Sequence, residues 1–418
     1  MHLNATEWIE NREHNTQRLL ELRDKYGTKK SALIGIEKKS REPLFADYSN
    51  QDRLILMAIA GQGSGKSVFN AWNNYYFSTV HQTPELVFDR SDEYQTHRQP
   101  LTSKPKAIET LKELGLKPDK LNADILRIRP KGVEGNCDKT LALSLSDIQE
   151  FGQEAYEYLM MSLLQAKADS PSQLRAIGYL CQQKGVKTLS NLQSSFKAHR
   201  QQMKEEGDSV SVGHLQTNFE MINNRNVLHQ PANDNKNPNI ITKETIYEYI
   251  QQRKTLLMLG AFDSMTQSSR ILSFYANYLA TALYNWRWEN KIPPCLISRE
   301  EASQMLSFPE GQATIAREIN LERKAGNHYT YFLQDLYQLP QSIEKNLLTT
   351  PILTGTKMPE EYIEKIARAK MIDAQEFKNA IYTLQNKNRP YDWWLINNNR
   401  EIQIYEPIPS PSQWWENH

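Results

Sequence analysis

The segment Ala60–Ser67, A-G-Q-G-S-G-K-S, constrains this chain more than any other. It directly follows the apolar run Leu54–Ala60, LILMAIA, and precedes a helical stretch that reaches about Val80. A short apolar run ending in a glycine-rich turn reads as a buried parallel strand. Glycines at 61, 63 and 65 let the backbone fold into a nest of N–H groups, and the helix that opens there adds positive potential. A loop of this kind cradles phosphates. The Walker A pattern, here with Ala in first position, gives Gly61, Gln62, Gly63, Ser64, Gly65, Lys66, Ser67 and Val68 places around a nucleotide. Lys66 reaches the β- and γ-phosphates and Ser67 ligates Mg²⁺.

The rest of the chain reads as an α/β fold around that loop. Glu85–Asp89, Ile125–Arg129, Leu141–Leu145, Thr255–Leu259, Cys295–Ser298, Tyr329–Leu333 and Pro351–Leu353 read as strands. Helical stretches separate many of them, from about Ser268 to Trp288 and through Glu300–Glu322. Alternating strands and helices predict a mostly parallel sheet with helices on both faces. The divisions expected are an N-terminal helical arm over 1–34 and a first core part over 35–146. A helical insertion over 147–240, a second core part over 241–390 and a C-terminal hairpin and tail over 391–418 follow.

Composition narrows the function classes. The formal net charge is +1, so no global field draws in nucleic acid, and any basic surface must be local. Lys29, Lys30, Lys38, Lys39 and Arg41 form one such cluster, and Lys104 and Lys106 a smaller one. Cys137, Cys181 and Cys295 are too dispersed for a disulfide framework or a zinc ribbon. Ile271–Trp286 is too short for a membrane span and contains Asn277 and Asn285. The N-terminal residues are charged throughout, unlike a signal peptide, so the expected location is the cytoplasm, with a peripheral place on a membrane complex open. His328 reads as structural. Trp393, Trp394, Trp414 and Trp415 read as a docking surface, or as platforms for bases.

A phosphate loop of this type needs an acid at the end of a second strand. Asp89 closes one strand, and Glu300 and Glu301 follow another. Two adjacent carboxylates suit one acid for the Mg²⁺ shell and one base for water, although acids also simply favour a helix start. Gln334 stands at the end of a further strand, where it can contact a γ-phosphate or water. Arg317, Arg323 and Lys324 precede that strand, where an arginine can reach a neighbouring subunit's nucleotide.

Together these features resemble the HerA/FtsK superfamily of P-loop ATPases, over about residues 35–360. Besides the phosphate loop, the resemblance is carried by VFDRSDEY at 87–94 and KTLLMLGAFDSMTQSSRILSFYANYLATALY at 254–284. LERKAGNHYTYFLQDLYQLP at 321–340 carries it furthest, with its eleven-residue step from Arg323 to Gln334. Where the family has Asp-Glu-Ala, this chain has Arg299-Glu300-Glu301-Ala302. The resemblance implies a RecA-like core in a ring, often a homohexamer, that uses ATP and Mg²⁺. Glu301 carries over as the base, Glu300 as the Mg²⁺-shell acid acting through water, and Gln334 as the γ-phosphate sensor. Arg323 or Arg317 would complete a neighbour's site. The load would be double-stranded DNA, in a mobile-element, conjugation or packaging-like setting, because no β-barrel of the HerA type is evident before the core. The alternatives are a type IV secretion-like motor acting on protein, with secretion or conjugation machinery as partner, and a weakly hydrolysing nucleotide-gated scaffold. The arginine before Glu300 motivates the last.

Overall fold

The structure, a computed structural model, describes residues 5–418 except 49–52, 62, 90–99, 102–103, 122–123, 136, 168, 184–185, 187, 206–211, 229–233, 235, 254, 261–265, 301, 303–308, 321–324, 335–343, 345–350, 356–358, 386–392, 397–401 and 413–418. Gln62, Glu301, Arg323, Lys324, Trp414 and Trp415 lie outside the described residues.

A single mixed sheet organises the chain. Its strands are β1 (Ser31–Glu37), β2 (Pro43–Asp47), β3 (Ile55–Ile59), β4 (Glu85–Asp89), β5 (Asp124–Pro130), β6 (Lys139–Leu141), β7 (Ile240–Ile241), β8 (Thr255–Gly260), β9 (Leu296–Arg299), β10 (His328–Leu333), β11 (Ile352–Gly355), β12 (Trp393–Ile396) and β13 (Ile402–Pro407). They lie in the order β2-β1-β13-β12-β11-β3-β10-β9-β4-β8-β5-β6-β7. From β11 to β7 every described neighbour is parallel, as the alternation of strand and helix predicted. The opposite end, β2-β1-β13-β12-β11, is antiparallel.

Two apolar clusters sandwich the sheet, and β3 shows how. Ile55, Met57 and Ile59 belong to the cluster on one face. Leu54, Leu56, Ala58 and Ala60 belong to the cluster on the other. With both faces covered, the strand is apolar at every position, which is why it reads as a continuous run. The helix α2 (Lys66–Tyr76) lies on the second face, and its residues from Phe69 to Tyr76 are all buried. Trp72 Nε1 donates to the Leu33 carbonyl at 2.7 Å, and Asn73 Nδ2 donates to Thr330 Oγ1 at 3.1 Å. The helix is therefore fixed from both sides.

The structure differs from the sequence reading in several places. β1 begins inside the expected helical arm, and β2 was not expected; the arm's helix, Ala5–Tyr26, ends before Gly27. The expected strand Leu141–Leu145 stops at Leu141 because Ser144 starts a short helix, Leu145–Gln149. Ser144 and Asp147 form a reciprocal capping box there, which satisfies the first-turn donors. The stretch 147–240 is rich in helix, and its apolar residues join the cluster that covers the sheet. A hydrogen bond also ties this stretch down, from Asn277 Nδ2 to Ser162 Oγ at 2.9 Å.

His328 is structural, as expected. Its Nδ1 accepts from the Leu54 N–H at 3.0 Å, bracing β10 against the entry to β3. Burial, with the His81 and Arg53 charges adding, pushes its pKa down to about 3. His81 is pushed down to about 4 by burial and Arg23. An unfolded histidine titrates near 6.5, so below that pH the unfolded chain takes up protons that the folded chain refuses. The stability from these neutral imidazoles is complete above about pH 6.5 and is lost as pH falls toward 3. His328→Asn should therefore lessen the loss of stability between pH 6 and pH 5 by about 1.2 kcal/mol relative to the parent chain. Urea unfolding at the two pH values checks this, and an unchanged difference contradicts it.

Candidate active site

The phosphate loop is held at both ends. The Ala60 N–H donates to the Leu333 carbonyl at 3.1 Å, joining the loop's base to β10. Gly63 and Gly65 take φ values of 70° and 92°, which L side chains rarely adopt. Gly65 caps α2 without supplying any side-chain acceptor, so the helix start keeps its amide donors and its positive dipole end for an anion. Ser64 Oγ donates to the Gly61 carbonyl at 2.6 Å. The Lys66 ammonium donates to the Ala60 and Gly61 carbonyls at 2.7 and 2.8 Å, so the cation sits over the loop itself.

A residue from the far end of the chain completes the loop. Trp393, on β12, is fully buried, donates from Nε1 to the Ser64 carbonyl at 2.9 Å, and stacks on Phe69. The expectation of a docking or base-stacking tryptophan is corrected at this position: the ring lies inside this chain. No local signal marks it, because 329 residues separate the partners. Trp393→Phe removes this donor to the Ser64 carbonyl and leaves a void beneath the loop. It should cost about 2 kcal/mol of stability and weaken nucleotide binding by roughly 3- to 10-fold. Thermal unfolding and equilibrium binding check the two numbers, and native-like affinity would mean that the loop does not need this brace.

The acids come from β9. Strand residues alternate between the sheet's faces. Ile297 lies in the cluster opposite α2, and Leu296 in the cluster on the α2 side. Arg299 therefore follows Ile297, while Glu300, one residue further, returns to the α2 side, where Asn70 Nδ2 donates to its Oε1 at 3.4 Å. Asn70 is one turn beyond Lys66 on α2, and its amide is a site contact that the sequence reading missed. Arg299 pairs with Glu318. Its Nε donates to Glu318 Oε1 and Oε2 at 3.0 and 2.9 Å, and its guanidinium lies over the Phe88 ring at 4.2 Å. The adjacency that looked like a defect is a consequence of the two-residue period.

The strand ladder brings the other candidates into line. β10 lies between β3 and β9, and β4 lies beyond β9. Gln334 follows β10 directly and is exposed. The Glu300 N–H donates to the Phe88 carbonyl at 3.2 Å, so the backbone of Asp89 is level with Glu300. The phosphate loop, Gln334, Glu300 and Asp89 thus stand at the carboxyl ends of neighbouring strands, the place where open α/β sheets bind ligands.

Arg317 is engaged within the chain: Nη1 donates to Thr281 Oγ1 at 3.1 Å, and the guanidinium lies over the Tyr284 ring at 4.9 Å. Of the basic cluster, Lys38 pairs with Glu406, and Arg41 pairs with Glu406 and Glu113. The described residues contain no cluster of three or more His, Cys, Asp or Glu suited to a metal. A Ser67 hydroxyl with the Glu300 carboxylate is an all-oxygen donor set, which fits Mg²⁺ held largely by water and phosphate. Among the described residues no helix is long and apolar enough to cross a membrane.

No protein-family model matches the sequence, and no curated protein does. Solved structures match the fold. VirB4 of Thermoanaerobacter pseudethanolicus is similar at a TM-score of 0.59 and 10% identity, covering 91% of this chain and 97% of that one. The unbound bacterial conjugative coupling protein TrwBdeltaN70 is similar at 0.55 and 11% identity, covering 95% and 93%. The plasmid coupling protein TrwB in complex with the non-hydrolysable ATP analogue ADPNP is similar at 0.52 and 11% identity, covering 95% and 94%. At these identities the likeness is one of fold: the chain has a RecA-like α/β core, as expected from the sequence.

Proposed function

We propose that this chain is a Mg²⁺-dependent ATPase motor of the HerA/FtsK type, working as a ring of identical copies and translocating double-stranded DNA without reading its sequence. The observation that supports it best is the row of strand ends carrying the phosphate loop, Gln334 and Glu300 in that order. Backbone amides of the loop and the Lys66 ammonium bind the phosphates of ATP. Ser67 and, through water, Glu300 hold Mg²⁺, which when bound neutralises charge on the phosphates. Glu301 takes the proton of the attacking water, and Gln334 orients that water or contacts the γ-phosphate. Arg323 reaches the site of the neighbouring copy. Arg317 is the weaker candidate for that task, since Thr281 and Tyr284 already hold it. That conjugative coupling proteins share the fold supports a motor acting on DNA.

A second reading, a motor of secretion type whose load is protein, is favoured by one observation. Lys38 and Arg41, which the sequence offered to DNA phosphates, are paired with carboxylates of this chain. Steady-state ATPase of the full chain, with and without double-stranded DNA, separates the readings. Stimulation by DNA supports the DNA motor. A rate indifferent to DNA supports the protein load, and binding without turnover supports a nucleotide-gated scaffold.

A further inference from the structure

Helix α11 (Pro309–Asn320) carries Glu318, which is fully buried although charged. Its carboxylate takes the Arg299 guanidinium in a two-pronged contact through Nε and Nη2. Tyr331 OH donates to its Oε2 at 3.0 Å. Its own backbone carbonyl accepts from Arg53 Nη1 at 2.7 Å, and the Ile319 carbonyl accepts from Arg53 Nη2 at 2.5 Å. Arg53 is also buried, and its guanidinium lies 5.7 Å from the Tyr329 ring centroid.

These partners are not scattered. Arg53 stands two residues before β3, the strand that delivers the phosphate loop. Arg299 ends β9 and immediately precedes Glu300. Tyr331 is on β10, three residues before Gln334. One helix end therefore grips the strands that lead to the phosphate loop, Glu300 and Gln334, from the face opposite α2. A buried ion pair is a poor way to gain stability, because hydrophobic residues of the same volume usually do as well or better. What this one fixes is position. A guanidinium held at two nitrogens sets both the height and the rotation of the β9 end. Arg53 meanwhile neutralises the negative end of the α11 dipole and ties it to β3.

We propose that Glu318 is a positioning residue for ATP hydrolysis, acting through Arg299 to place Glu300 against the phosphate loop. This rests on the ATPase reading above. The consequence is a separation of binding from turnover. The phosphate loop has braces outside this grip, through Ser64 and Trp393. Loss of the Glu318 grip should spare ATP affinity and lower the chemical rate, since about 1 Å of displacement at an acid costs on the order of 100-fold.

The test is the paired replacement Arg299→Met with Glu318→Met, which removes both charges together and keeps the volume. Arg299→Lys, which keeps the charge and loses the two-pronged contact, is the second variant should the pair fail to fold. Thermal unfolding, equilibrium binding of ATP and single-turnover phosphate release are measured on the full-length variants and the parent. Expected are an ATP affinity within about threefold of the parent and a kcat lowered by about 10- to 100-fold, in a variant that unfolds at or above the parent's temperature. A folded variant with parental kcat overturns the proposal and leaves the ATPase reading intact. Affinity and rate lost in equal measure also overturn it, since that is the signature of a merely structural pair. A parent chain that binds or hydrolyses no ATP overturns the ATPase reading, and this proposal with it.

Discussion

Lys66→Ala should lower the affinity for ATP by about 100-fold or more and reduce turnover at least as far. The ammonium now donates to two carbonyls of its own loop, at 2.7 and 2.8 Å. On binding it exchanges them for phosphate oxygens. Each charge-assisted bond of this kind contributes about 1.5–3 kcal/mol, so losing two corresponds to roughly two to four decades in affinity. The loop itself should survive, because Ser64 Oγ still donates to the Gly61 carbonyl and Trp393 still holds the Ser64 carbonyl. Equilibrium binding of a fluorescent ATP analogue, with thermal unfolding as the control for folding, checks both parts. A variant with parental affinity would remove the phosphate loop from the account.

Glu301→Gln should bind ATP within a few-fold of the parent and hydrolyse it about 100- to 10,000-fold more slowly, the usual weight of a general base. The amide keeps the size of the carboxylate and cannot take a proton at neutral pH. Glu301 lies outside the described residues, so its role follows from its place after Glu300. Glu300 contacts Asn70 at 3.4 Å on the face of α2. Glu300→Gln makes the comparison sharp. It should raise the Mg²⁺ concentration needed for half-maximal rate more than it lowers the maximal rate. If Glu300→Gln abolished turnover at saturating Mg²⁺ while Glu301→Gln left it intact, the two roles would have to be exchanged.

The placement of the candidate site's strand ends could be read from the sequence because its signals are local. The spacing of Gly61, Gly63 and Gly65 before Lys66 reflects backbone conformations that those residues adopt in the structure, with φ positive at Gly63 and Gly65. β3 reads as a buried strand because both of its faces are covered. Gln334 could be placed because the end of a six-residue strand is visible as the end of an apolar run. What escaped depends on distance or direction. Arg299 beside Glu300 looks like a compromised acid in a linear text. Its partner, Glu318, is 19 residues away on a helix, and strand alternation sends the Arg299 and Glu300 side chains to opposite faces. Trp393 looks like a surface aromatic in a Pro- and Asn-rich region, and only the antiparallel pairing of β11, β12 and β13 brings it under the phosphate loop. The strand expected over Leu141–Leu145 failed for a local reason, since the Ser144–Asp147 capping box outweighs the alternation of LALSL.

The most direct measurement is phosphate release from ATP by the full-length chain at saturating Mg²⁺, followed as a function of chain concentration. A site completed by a neighbour predicts Mg²⁺-dependent release whose rate per chain rises with concentration to a plateau, and which Lys66→Ala abolishes. ATP binding with no release at any concentration, or release that Lys66→Ala leaves unchanged, would contradict the account.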